Sequence, residues 1–143
     1  MTPDLPVSDL LFAFTSWARS RPDILAAPLV ESQARGTAGP HSDVDLVILA
    51  REPRVYLDET AWAGRFGQVE SQQVEDYGRL RSLRVKYRGG PEVEYGFTGE
   101  SWAALPLNEG TRRVIADGMR ILFERGPILT GCLAQMQRGA NRR

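Results

Sequence analysis

Ser42-Asp43-Val44-Asp45-Leu46-Val47-Ile48-Leu49 is the stretch on which the fold turns. From Val44 to Ala50 the residues are mostly branched or aliphatic, the composition of a buried strand, and two carboxylates stand at its head. Alternate side chains of a strand point to one face, so Asp43 and Asp45 share a face, with Cα atoms about 7 Å apart. Two carboxylates on one face repel unless a cation lies between them. Hard divalent ions such as Mg²⁺ take oxygen ligands and share them with phosphates, and pairs of such ions assist nucleotidyl transfer. An isolated Asp-x-Asp is usually only a solvated strand entrance, so the residues around it decide what it means.

About ten residues upstream stands Val30-Glu31-Ser32-Gln33-Ala34-Arg35-Gly36. Ile24 to Val30 reads as a buried strand, with Pro28 marking an edge or a bulge. A strand passing into a short helical turn at 32–35 presents free backbone N–H groups, which suit phosphate. Ser32 adds a hydroxyl, Arg35 a guanidinium, and Gly36 permits a left-handed turn back toward the Asp strand. Downstream, Pro91-Glu92-Val93-Glu94-Tyr95-Gly96-Phe97 puts Glu92 and Glu94 on one strand face by the same alternation. The Gly89-Gly90 turn makes this strand the hairpin partner of 80–87.

The remaining elements follow from spacing and punctuation. Residues 1–7 read as a short tail. A helix capped by Ser8 runs to Arg19, with Leu10, Leu11, Phe14, Trp17 and Ala18 on one face and Val7 stapled to Phe12. Residues 59–66 read as a helix, 68–76 as a strand, 111–116 as a helix, 119–123 as a last strand and 127–137 as a closing helix. Helices and strands intermix, which predicts a single α/β (α+β) domain over 1–143, with its core at 8–137 and a basic tail at 138–143. His41, Arg112 and Arg113 read as solvated, and Trp62, Trp102 and Tyr95 as packing residues.

The segment 29–49 resembles the DNA polymerase β-like nucleotidyltransferase superfamily. The superfamily's Gly-Ser, Ala-Arg-Gly and Ser-Asp-x-Asp-Leu elements are matched in order and spacing by Ser32, Ala34-Arg35-Gly36, and Ser42-Asp43 with Asp45 and Leu46. Small bacterial stand-alone members and antibiotic adenylyltransferases are the relatives it suggests. The resemblance implies a mixed β-sheet flanked by helices, and Mg²⁺ or Mn²⁺ held by Asp43, Asp45 and a third carboxylate. Glu94 fits that third place because it directly precedes the apolar end of its strand, as the family's residue does; it would complete the metal site or act as general base. Ser32, Arg35, Gly36 and Ser42 would bind the nucleotide. The implied reaction moves a nucleoside monophosphate, AMP from ATP the first choice, to a hydroxyl of a small molecule or protein. The pattern breaks at one place: Glu31 stands where the family has glycine, adding bulk and charge beside the triphosphate. Two other readings stand beside the enzyme: a non-catalytic relative, from Glu31, and an antitoxin-type partner of a helical toxin, from a chain without room for its own helical domain.

Composition narrows the classes further. Eighteen Lys plus Arg balance eighteen Asp plus Glu, so no overall field draws the chain to nucleic acid or membrane. Cys132 is the only cysteine, which rules out an intramolecular disulfide and points to a reducing cytoplasm. No apolar run approaches the roughly 20 residues that span a bilayer. A homodimer or a helical partner is the expected source of an acceptor site, since 143 residues leave little room for a second helical domain.

Overall fold

The computed structural model describes residues 5–31, 36, 43–76 and 80–140. Its elements are α1 (Val7–Ser20), β1 (Ile24–Val30), β2 (Val44–Ala50), α2 (Arg54–Asp58), a 3₁₀ turn (Ala61–Arg65), β3 (Val69–Asp76), β4 (Arg81–Tyr87), β5 (Glu92–Thr98), a second 3₁₀ turn (Glu100–Ala103), α3 (Glu109–Asp117), β6 (Met119–Glu124) and α4 (Ile128–Ala140). The strands form one six-stranded sheet in the order β3-β4-β5-β2-β1-β6. Every neighbouring pair is antiparallel except β2 and β5, which run parallel. The sheet is therefore mixed and flanked by helices, as the sequence predicts.

The apolar runs of β1 and β2 are explained by their central position. Every residue of β1 is buried, and so is every residue of β2 except Asp45. On one face Leu46 and Ile48 meet Phe14 and Trp17 of α1 and an aromatic layer built by Tyr56, Trp62, Phe66, Tyr95 and Phe97. Trp17 stacks on Trp62 with ring centroids 5.2 Å apart, and Tyr56 stacks on Phe97 at 5.3 Å. Rings of this size, fully buried, each contribute about 2–3 kcal/mol. Their polar tips are satisfied: Tyr87 Oη donates to Ala63 O at 2.8 Å and lies 2.7 Å from Tyr95 Oη, which therefore donates to it. On the other face Val47 and Leu49 pack with Trp102, Ile115, Leu129 and Cys132, from the second 3₁₀ turn, α3 and α4. Trp62, Trp102 and Tyr95 are all core residues.

Pro28 makes a bulge, since the β1–β6 register shifts between Ala27 and Pro28. It does not mark an edge, because β1 lies between β2 and β6. Other expectations need correction. The helix begins at Val7 behind an extended Pro6, so Ser8 lies inside it and caps nothing. Leu5 is held by a 2.8 Å bond from its N–H to Gly89 O, and its side chain fills the space where Cβ atoms would sit at Gly67 and Gly90. The tail therefore packs as part of the fold by residue 5, and Phe12 is 76% exposed instead of stapled to Val7. Where a helix was expected at 59–66, Ala61–Arg65 forms a 3₁₀ turn, and α2 was not expected before it. The closing helix reaches Ala140, which takes Arg138 out of the predicted frayed tail. Among the described residues, no helix is long and apolar enough to cross a membrane.

Candidate active site

The parallel pairing of β2 with β5 brings the acids together. Its register sets Val44 beside Val93, Asp45 beside Glu94 and Leu46 beside Tyr95. Odd and even positions then sort themselves. Val44, Leu46, Val93 and Tyr95 face the aromatic layer, while Asp43, Asp45, Glu92 and Glu94 share the opposite face. Glu94, and not Glu92, is the neighbour of Asp45; Glu92 stands one alternation nearer the start of β5.

A residue missed in the sequence occupies the centre of this face. Arg84 of β4 lies in register with Glu94. Its Nη2 is 2.9 Å from Glu94 Oε2, its Nη1 3.4 Å from Asp43 Oδ2 and 3.9 Å from Glu92 Oε1, and its Nε 2.7 Å from Glu75 Oε1 of β3. The guanidinium fork thus serves carboxylates from three segments with charge-assisted bonds. The side chains of Arg84, Glu75 and Glu94 are all largely buried, at 27%, 21% and 17% exposure, and Asp43 is half exposed. The signal was present in the sequence: counting back across the Gly89-Gly90 turn pairs Arg84 with Glu94.

Asp45 lies between this cluster and the end of β1, where Val30 is its antiparallel partner. Its carboxyl is pushed up from 3.8 to about 7. Burial is the largest cause, followed by the charge of Glu31 and a hydrogen bond to it, then by the charges of Glu94 and Asp43. Near neutrality this carboxyl therefore retains a proton for much of the time unless a further cation arrives. Glu31 itself sits at φ 63, in the left-handed region. That gives the family's glycine a backbone reason as well as a steric one, since only glycine enters this region without penalty. Gly36 has φ 72, the left-handed turn expected of it. Ser32, Arg35, His41 and Ser42 lie outside the described residues. Arg112 and Arg113 are exposed on α3, as expected.

The donor chemistry of Asp43, Asp45 and Glu94 fits Mg²⁺ or Mn²⁺, because carboxylate oxygens are what hard divalent ions take. A cation, the Arg84 guanidinium, already lies on two of the three. Among the described residues, no three such groups close around one point as they stand.

The acids are thus paired across the two parallel strands of a mixed sheet that carries helices on both faces. Residues 29–88 match the nucleotidyltransferase domain family, a span that runs from the last two residues of β1 through β2 and the β3–β4 hairpin and stops short of β5. Among solved structures, an aminoglycoside 6-adenyltransferase from Bacillus subtilis superposes with a TM-score of 0.52 at 14% sequence identity. The match covers 78% of this chain and 38% of that one, so the chain spans well under half of its structural neighbour. No curated protein matches the chain in sequence.

Proposed function

We propose that this protein transfers a nucleoside monophosphate, AMP from ATP, to a hydroxyl of a small-molecule or protein acceptor, in a reaction that uses Mg²⁺ or Mn²⁺. The observation that carries this reading is the register of Asp45 with Glu94, with Asp43 on the same face. In it, Asp43 and Asp45 hold the divalent ion, and Glu94 completes the set or takes the proton of the acceptor hydroxyl. Bound there, the ion offsets the repulsion among the acids and polarises phosphate oxygens. Ser32, Arg35, Gly36 and Ser42 cradle the phosphates. The site belongs to the cytoplasm, where ATP is supplied, and the whole chain works as one domain.

Glu31 supports a second reading, in which the fold is kept and turnover is not. Its side chain meets Asp45 where a triphosphate would need room. One experiment separates the two. The protein is incubated with ATP labelled at the α-phosphate, Mg²⁺ or Mn²⁺, and a panel of hydroxyl acceptors that includes lysate protein. Transfer of label, lost in the Asp43→Asn/Asp45→Asn double variant, supports the enzyme. Label transfer that survives the double variant overturns the site assignment. Calorimetry that finds no ATP binding at millimolar nucleotide favours the non-catalytic reading.

A further inference from the structure

The position of Arg84 is unusual for a residue that only stabilises a sheet. Its guanidinium uses two edges for two purposes. The Nε edge is held by Glu75 at 2.7 Å, on a strand that contributes nothing else to the proposed chemistry. The two η nitrogens reach Asp43 and Glu94, which are carboxylates assigned above to the metal. A guanidinium nitrogen on Asp43 Oδ2 and Glu94 Oε2 competes with a divalent ion for these carboxylates, because two cations on one carboxylate repel at short range. The other basic side chain on this face of β4, Lys86, is exposed and paired in register with Glu92, so it is no substitute.

We propose that Arg84 is an exchangeable counter-ion that passes from the acids to the nucleotide. Without metal it neutralises Asp43 and Glu94. With a divalent ion on those carboxylates, the η nitrogens leave them while Glu75 keeps hold of Nε. The guanidinium then stands beside the site, able to bind a phosphate oxygen of the incoming triphosphate through its planar fork. Arg84 is thus a substrate-binding residue whose partner changes with occupancy, and Glu75 is the residue that positions it. This rests on the metal-dependent reading given under Proposed function.

The test is Arg84→Met, which keeps much of the apolar stem and removes the charge, measured against Mn²⁺ alone and against Mn²⁺ with ATP. Calorimetry or the paramagnetic signal of free Mn²⁺ reads both affinities. The expected results have opposite signs: Mn²⁺ alone binds about tenfold tighter, and ATP in the presence of saturating Mn²⁺ binds about tenfold weaker. A merely structural role would weaken both together. Arg84→Lys, a point charge without the fork, should leave Mn²⁺ affinity near the parent's and recover only part of the ATP affinity. Glu75→Gln, which leaves Arg84 in place with a weaker hold, should lower ATP affinity in the same direction. If the parent binds Mn²⁺ and Arg84→Met binds it no tighter, the exchange is wrong while the proposed function stands. Tighter Mn²⁺ with unchanged ATP affinity refutes the passage to phosphate. If neither parent nor variant binds Mn²⁺, the metal-dependent function falls and takes this inference with it.

Discussion

Replacing Asp45 with Asn should make the fold less sensitive to pH, by an amount that follows from the site. In the native protein the Asp45 carboxyl is pushed up from 3.8 to about 7 by burial and by Glu31, Glu94 and Asp43. Between those two values the folded chain holds a proton that the unfolded chain has released. Stability therefore declines as pH rises through that window, and the decline is complete only above about pH 7. A rise from 3.8 to about 7 corresponds to about 4 kcal/mol without screening. Asp45 is only half-buried, and water screens part of the repulsion, which leaves about 2 kcal/mol. Asn is close to Asp in shape and does not titrate. Urea unfolding from pH 4 to pH 8, in EDTA so that no divalent ion takes part, should show the parent losing about 2 kcal/mol more than Asp45→Asn. Parallel curves for the two proteins over that range would show that burial and the neighbouring acids do not hold the Asp45 carboxyl up.

Two further outcomes follow from the geometry. Glu31→Gly should raise stability at pH 8 by about 1 kcal/mol, because glycine relieves the left-handed backbone at φ 63 and removes a charge beside Asp45; an unchanged or lower urea midpoint would contradict this. The same variant tests the second functional reading, since ATP binding that appears only on this substitution marks the native chain as non-catalytic. Tyr56→Phe keeps the ring stacked on Phe97 but loses the 2.6 Å bond that Tyr56 Oη donates to Asp23 and the one it accepts from Arg21 at 3.3 Å. It should cost about 1–2 kcal/mol at neutral pH, read from thermal or urea unfolding, and a neutral result would mean that water replaces the hydroxyl at no loss.

The sheet was legible where periodicity was strong. β1 and β2 read as buried strands because they are buried on both faces, and the β4–β5 hairpin followed from Gly89-Gly90. Asp43, Asp45 and Glu94 could be singled out because alternation assigns faces without any tertiary knowledge. Which glutamate stands by Asp45 could not be read from that pattern, since Glu92 and Glu94 alternate alike and only the parallel register separates them. Arg84 was overlooked for a different reason. An arginine between Leu83 and Val85 looks like an ordinary solvated strand residue until its cross-strand neighbours are counted. The start of α1 was misplaced by two residues because Ser8 has the chemistry of a cap, whereas the anchoring of Leu5 to Gly89, a contact across 84 positions, sets the boundary instead. The helix expected at 59–66 lost to packing: Trp62 and Phe66 reach the aromatic layer from a tight 3₁₀ turn.

The parallel pair at the middle of an otherwise antiparallel sheet also bears on how such a protein can change over time. Asp45 and Glu94 are neighbours by virtue of backbone pairing, deep in the ladder, and owe nothing to the conformation of any loop. Segments outside the ladder can lengthen, shorten or exchange residues while the two acids stay side by side. A descendant could therefore acquire a new acceptor by rewriting its surface and still inherit the same acid pair. A single-residue slip between β2 and β5, by contrast, would turn Glu94 toward the aromatic layer and remove the pair in one step.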